Sequence, residues 1–308
     1  MSESLKRFLT GVVLLGVLFF FLLYLRPLEL HSIDALVMVF LLVGMYEMYR
    51  ATRQGGNKTM LAPLITFAVL VYPLYLVLEL KKGLGDVGIL MALAVSVILA
   101  LTIFTFALET SEEGEKKAKY GLSDLGTTLL TLIYPGVFVA MFMAVNSHAG
   151  DLLAILMMLI IPLTDDACAY FVGSKLGKHK LIPAISPKKS VEGLIGGIVG
   201  GMLAQIVLFL LFEVFGVFDG VNNIAIPRVS DKLYVSIPIY LVLALIIIGA
   251  EFAGDLVASR IKRIVGIKDY GKIFPGHGGV MDRLDSLIFA MPVVYVFFTL
   301  CRVFDFLY

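Results

Sequence analysis

The chain has 308 residues, 59% hydrophobic and 16% charged, with a net charge of +1 and a mean hydropathy of +0.96. A soluble domain is about a quarter charged, so that class is excluded, and a charge this close to zero argues against a nucleic-acid partner. The two cysteines, Cys168 and Cys301, both lie in apolar runs and read as small core residues, not as a disulfide or a metal pair.

Apolar runs of roughly 17 to 25 residues, the length a bilayer requires, recur along the whole chain. In order they cover about 8–25, 32–49, 59–79, 86–108, 123–146, 151–174, 193–217, 235–258 and 285–304. The first run follows Lys6 and Arg7 and ends at Arg26-Pro27 with no small-residue cleavage site, so it reads as a retained span. Backbone polar groups cannot stay open in lipid, so each run is expected to be a helix. The fold class is therefore an all-α integral membrane protein of about nine transmembrane helices.

Orientation follows from Lys and Arg. If the N-terminus is cytoplasmic, 19 of the 25 basic residues fall on inside segments and six outside, namely Arg26, Lys81, Lys82, Arg228, Lys232 and Arg302. That bias places the N-terminus in the cytoplasm and the C-terminus outside. Residues 1–121 read as an N-terminal scaffold of about four helices, with almost no ionisable group at mid-membrane depth. Residues 122–308 read as the catalytic region, with cytoplasmic loops at 175–192 and 259–284. The mixed Glu109–Tyr120 segment reads as a solvated connector.

Chemistry-bearing residues concentrate after residue 150. Asp165 and Asp166 lie inside the sixth run, just after Pro162, which is expected to loosen the helix there. Two acids in an apolar span are costly unless paired or facing a polar cavity. Next comes Ser186-Pro187-Lys188-Lys189-Ser190-Val191-Glu192-Gly193, a loop that fixes two ammonium groups at the interface and suits a substrate with several phosphates. A basic cluster held by anionic lipid explains the lysines, but not the serines and the Glu-Gly. The glycines from Gly193 to Gly201 read as a close helix-packing surface.

Glu251, Asp255 and Ser259 share one helix face at i, i+4, i+8. Asp282 and Asp285 stand where the last helix should begin, and Asp282 alone would also serve as a cap at that helix start. Crowded acids repel unless a cation neutralises them, and an all-oxygen donor set favours Mg²⁺ over zinc. Between them the Pro275-Gly276-His277-Gly278-Gly279 turn lets backbone N–H groups approach an anion, though a tight reversal alone would also explain it. Flanked by Lys268, Lys272 and Arg283, it reads as a phosphate and metal site; His277 would bind phosphate or satisfy the loop.

The run Ser259-x-Ile261-Lys262-Arg263-x4-Lys268-Asp269-x-Gly271-x2-Phe274-Pro275-x-His277-Gly278-Gly279-Val280-x-Asp282-Arg283-Leu284-Asp285 resembles the defining pattern of the phosphatidate cytidylyltransferases, also called CDP-diacylglycerol synthases. Asp166-x2-Ala169-Tyr170 and the Ser186–Gly193 loop resemble two further hallmarks of that family, in the same order. The detailed match covers roughly residues 150 to 300. Departures are Ser174-Lys175, where the family often has Gly-Arg, and Val191, where it often has Trp.

The resemblance implies an integral enzyme of the cell membrane, with its site facing the cytoplasm. It implies transfer of a cytidylyl group from CTP to phosphatidate, giving CDP-diacylglycerol and pyrophosphate. Mg²⁺ is the implied cofactor, with room for a second cation such as K⁺. Membrane phospholipid and a second copy of the chain, as a homodimer, are the implied partners. Asp255, Asp282, Asp285 and Asp166 are the expected metal ligands, with Asp255 and Asp282 sharing an ion. Lys188, Lys189 and Arg283 are expected to act on phosphates. Ser186, Ser190, Ser259, Lys262, Arg263, Lys268, Asp166, Tyr170 and the Gly276–Gly279 turn are expected to bind substrate. Related chemistries stay open: a CTP-dependent polyprenol kinase or an ether-lipid cytidylyltransferase. A transporter is disfavoured, because the polar residues cluster at one membrane face instead of spreading through it.

Overall fold

A computed structural model describes residues 11–13, 16–29, 31–110, 115–147, 152–183, 186–217, 233–274 and 278–303. Eight helices in it are long and apolar enough to cross a membrane. They are α1 (Gly11–Leu28), α2 (Ser32–Gln54), α3 (Leu61–Lys82), α4 (Gly85–Phe106), α5 (Leu122–Asn146), α6 (Leu152–Leu176), α7 (Val191–Val214) and α8 (Leu233–Ile264). A four-residue turn, α9 (Met281–Leu284), precedes a shorter apolar helix, α10 (Leu287–Val303). All nine expected spans are thus represented, the last in shortened form.

The expectation of purely helical structure needs one correction. Two short antiparallel hairpins are present: β1 (Leu108–Thr110) with β2 (Lys116–Ala118), and β3 (Lys180–Ile182) with β4 (Ser186–Ser190). Both occupy connectors outside the apolar runs, where water can satisfy the unpaired edges that lipid cannot. The expected loosening at Pro162 is also absent, since α6 runs unbroken through it. A membrane helix tolerates the lost donor when neighbouring groups meet the freed carbonyl. In α5 the chain does depart from α geometry. A π-helical turn covers Leu132–Val137, and Tyr134, just before Pro135, has φ −120° and ψ 101°.

The described residues divide into two compact units. The first joins Ala35–Ala144 to Lys262–Asp282. Within it α3 and α4 form an antiparallel hairpin, and the buried Tyr75 hydroxyl donates to the Met143 carbonyl at 2.9 Å. One face of α2 is set against the 265–281 segment. A Cβ added at Gly44 would lie 3.5 Å from Met281 Sδ, and one at Gly55 2.8 Å from a Val265 methyl.

The second unit takes the described parts of Phe8–Asp34, Val145–Ile261 and Arg283–Tyr308. Its centre is the α6–α7 pair. The expected small-residue surface is present: a Cβ at Gly193 would lie 2.9 Å from the Ala169 carbonyl oxygen, and one at Gly197 2.6 Å from Asp165 Oδ1. Only hydrogen at these positions lets the two helices close on each other. A separate buried polar chain ties Arg26 Nε to Asn146 Oδ1 at 2.7 Å, and Asn146 Nδ2 to Asp34 Oδ1 at 3.0 Å.

α8 has 32 residues. At 1.5 Å per residue it is about 48 Å long, more than the roughly 30 Å of a hydrocarbon core. Its last turns, with Arg260, Lys262 and Arg263, are therefore free to extend beyond the apolar layer.

Candidate active site

In the second unit, α6 and α8 bring three acids together. Oxygens of Asp165, Asp166 and Glu251 all lie within 4.8 Å of one another. Asp165 is 5% and Glu251 1% exposed, while Asp166 is open. Asp165 Oδ1 and both Glu251 oxygens are buried and meet no hydrogen-bond donor among the described residues. Buried carboxylate oxygens without donors are costly. The donor set is all oxygen, as a hard divalent cation requires, so these residues fit Mg²⁺.

Beside them opens a cavity of about 370 Å³, whose lining includes Asp165, Asp166, Tyr170, Lys188, Lys189, Ser190 and Phe252. β4 delivers the lysines. Lys189 Nζ lies 2.6 Å from Asp255 Oδ2 and 4.6 Å from the centre of the Phe252 ring. Lys188 is exposed. Ser190 ends the strand and caps α7, its hydroxyl accepting from Gly193 N at 3.1 Å. Such a cap contributes about 1 kcal/mol. Glu192, in the first turn of α7, accepts from the Lys178 N–H at 3.1 Å and meets His179 Nδ1 at 2.6 Å, which ties the hairpin's approach to the helix. Ser286 Oγ donates to Asp166 Oδ2 at 3.4 Å, and Asp285 Oδ1 accepts from Ser286 N at 3.1 Å.

The first unit holds the other constellation. Asp282 is buried and gathers three donors: Tyr270 N at 2.7 Å and Gly279 N at 3.0 Å on Oδ2, and Lys262 Nζ at 3.1 Å on Oδ1. Lys262 also sits 5.3 Å from the centre of the Tyr270 ring. The segment reverses at Gly278, whose φ of +86° a side chain would resist, and Phe274 N donates to Gly278 O at 2.9 Å. The Gly279 N–H, expected to face a substrate anion, donates to the Asp282 carboxylate. Gly276 and His277 lie outside the described residues.

Of the expected ligands, Asp166 belongs to the three-acid cluster, Asp255 is paired with Lys189, and Asp282 is bonded to Lys262 and two backbone amides. Lys188, Lys189, Ser190 and Tyr170 share one cavity, while Ser186 opens β4. Ser259 is half-buried on α8, and Arg263, Lys268 and Arg283 are exposed. Sequence reasoning assigned no ligand role to Asp165 or Glu251, although each was visible as an acid inside an apolar run. It passed over Glu47 entirely. This residue lies in α2, is 4% exposed, and accepts from Met281 N at 2.9 Å. The available signal was a carboxylate well inside a 23-residue, largely apolar helix whose other acid, Asp34, lies in the first turn.

Residues 5–301 match the cytidylyltransferase family. The phosphatidate cytidylyltransferase of Bacillus subtilis (strain 168) is 31% identical over 296 residues, 96% of this chain and 97% of the relative. Those of Thermotoga maritima and Staphylococcus haemolyticus are 32% and 36% identical, over 65% and 58% of this chain and 67% and 61% of their own lengths. The chain belongs to the cytidylyltransferase family.

Proposed function

We propose that this protein transfers the cytidylyl group of CTP to phosphatidate, forming CDP-diacylglycerol and releasing pyrophosphate, with Mg²⁺ as cofactor. The observation that carries this reading is one cavity lined both by Asp165 and Asp166, two members of the three-acid cluster, and by two adjacent lysines. Carboxylates that fit a divalent cation beside ammonium groups that fit phosphate suit a cation-bound polyphosphate. Similarity along nearly the full length to a relative named phosphatidate cytidylyltransferase supports the same substrate.

In the proposed reaction a phosphate oxygen of phosphatidate attacks the α-phosphorus of CTP. The new O–P bond forms as the bond to the bridging oxygen of the β-phosphate breaks, and pyrophosphate departs with that electron pair. The attacking phosphate is already ionised near pH 7, so a strong general base is unnecessary. Positioning and charge neutralisation carry the rate. When bound, Mg²⁺ supplies neutralisation of the triphosphate and its leaving group. Asp165, Asp166 and Glu251 are the proposed ligands; Asp255, Asp282 and Asp285 keep the cation-binding roles that the family resemblance implies. Lys188, Lys189 and Arg283 hold phosphate oxygens.

The protein is read as an integral membrane homodimer with N-terminus and site on the cytoplasmic side. The basic-residue bias supports that orientation, and impermeant labelling of a cysteine placed at Lys178 from the outer side would overturn it. The defining assay supplies purified protein in detergent with CTP, phosphatidate and Mg²⁺. Label from the α-phosphate is expected in the lipid. Label arriving from the γ-phosphate would instead identify a lipid kinase.

A further inference from the structure

Glu47 has no place in the reaction just described, yet its surroundings single it out. A carboxylate inside an apolar helix costs free energy that a Leu or Met would not, so simple packing does not explain it. Its Oε2 accepts from Met281 N at 2.9 Å, one residue before Asp282. Its Oε1 is buried and meets no donor among the described residues.

Two glycines of the loop flank this carboxylate. A Cβ added at Gly271 or at Gly279 would collide with it, and the one at Gly271 would also lie 3.0 Å from Gly279 Cα. Neither glycine has positive φ. Backbone conformation therefore does not call for glycine at either position; the room taken by the Glu47 carboxylate does. Gly44 of α2 lies against Met281, and Gly55, one residue past the end of the helix, against Val265. Gly44 and Glu47 are one helical turn apart, so α2 and the residue after it meet the described part of the segment from Val265 to Met281 at Val265, Gly271, Gly279 and Met281.

We propose that Glu47 is the positioning residue of the signature loop: its carboxylate occupies the gap between Gly271 and Gly279, holds the Met281 amide, and so sets the turn on which Asp282 is presented. The inference rests on the cytidylyltransferase reading for its link to rate. It gives the N-terminal part of the chain a direct role at the loop, beyond scaffolding. Glu47 acts through Asp282 and touches no substrate.

The test combines Glu47→Gln, Glu47→Met, Glu47→Ala, Gly279→Ala and the double variant Glu47→Ala/Gly279→Ala. Misplacing a catalytic group by about an ångström costs up to about a hundredfold in rate. Glu47→Ala and Glu47→Met are expected to lose about tenfold or more in kcat. Glu47→Gln, which keeps both the volume and an acceptor, is expected to retain clearly more than either. Gly279→Ala is expected to lose activity through its clash with the carboxylate. Because removing that carboxylate makes room, the two losses should not multiply in the double variant. A packing role alone predicts that Met serves as well as Gln; that result, or losses that multiply in the double variant, would overturn the proposal.

Hydrogen–deuterium exchange across 270–282, in protein without substrate, reads the contact independently. Faster exchange in Glu47→Ala but not in Glu47→Gln is expected. Should the wild-type protein make no CDP-diacylglycerol while exchange still depends on Glu47, the functional reading fails and the contact stands. An active wild type whose exchange ignores Glu47→Ala refutes the inference.

Discussion

Lys189 Nζ and Asp255 Oδ2 lie 2.6 Å apart, joining β4 to α8 at the cavity. The Lys189 side chain is only 26% exposed, whereas its neighbour Lys188 is open to solvent. Two lysines that look equivalent as a sequence pair therefore occupy unlike environments. Lys189 neutralises an acid and packs on Phe252; Lys188 is an exposed charge lining the same cavity.

The two lysines should accordingly respond differently to removal. Stripping one partner from a largely shielded ion pair leaves the other charge uncompensated, which costs more than losing an exposed charge. Lys189→Ala is expected to lower kcat/KM about a hundredfold, and Lys188→Ala about tenfold, chiefly through KM. Steady-state kinetics against both CTP and phosphatidate would show it. Equal losses would mean that the pair with Asp255 does not matter.

Asp282→Asn replaces one carboxylate oxygen by an NH₂ group. The amide can still accept from Tyr270 N and Gly279 N, but it loses the charge facing Lys262. Turnover is expected to fall by about a hundred- to a thousandfold, the usual cost of a preorganised electrostatic group, while the loop holds its form. Turnover near that of the wild type in detergent with saturating Mg²⁺ would rule out a catalytic part for this acid.

The sequence made some of this plain and hid the rest for physical reasons. Apolar runs locate every span, because hydrocarbon thickness sets their length and lipid forbids open backbone. The acids of α6 were visible as costly intruders in such a run. Glu251 was visible too, on the face it shares with Asp255. Their convergence was not, because nothing local says that position 165 on one helix meets 251 on another. The β3–β4 hairpin escaped because Ser186-Pro187-Lys188-Lys189-Ser190, which pairs with 180–182, lacks the apolar alternation that marks a strand. Glu47 escaped because its partner is an amide 234 residues away.

The three-acid cluster predicts how the metal requirement will change. Glu251 contributes two donor-free oxygens and Asp165 one. Glu251→Gln and Asp165→Asn are each expected to raise the Mg²⁺ concentration for half-maximal activity by about tenfold or more, since loss of one charged ligand weakens a hard-cation site. Isothermal titration with Mg²⁺ in the absence of substrate should show the same weakening. An unchanged Mg²⁺ dependence in both variants would place the ion elsewhere.

The α6–α7 contact allows packing and chemistry to be separated with two neighbouring glycines. A Cβ at Gly196 would lie 2.5 Å from a Val172 methyl, and so disturb packing alone. A Cβ at Gly197 would lie 2.6 Å from Asp165 Oδ1 and 3.1 Å from Ala169 Cβ, so it strikes the acid cluster as well. Forcing an extra methyl into a close-packed contact costs about 1–3 kcal/mol, and both Gly196→Ala and Gly197→Ala are expected to lower the detergent melting temperature. Only Gly197→Ala should also raise the Mg²⁺ requirement, because only there does the new methyl press on a ligand. The reason is geometric: the residues are adjacent, but a helix turns about 100° between them, so one faces a valine and the other a carboxylate. Matched melting losses accompanied by matched Mg²⁺ curves would show that Asp165 yields to the methyl without consequence, and would remove it from the cation site.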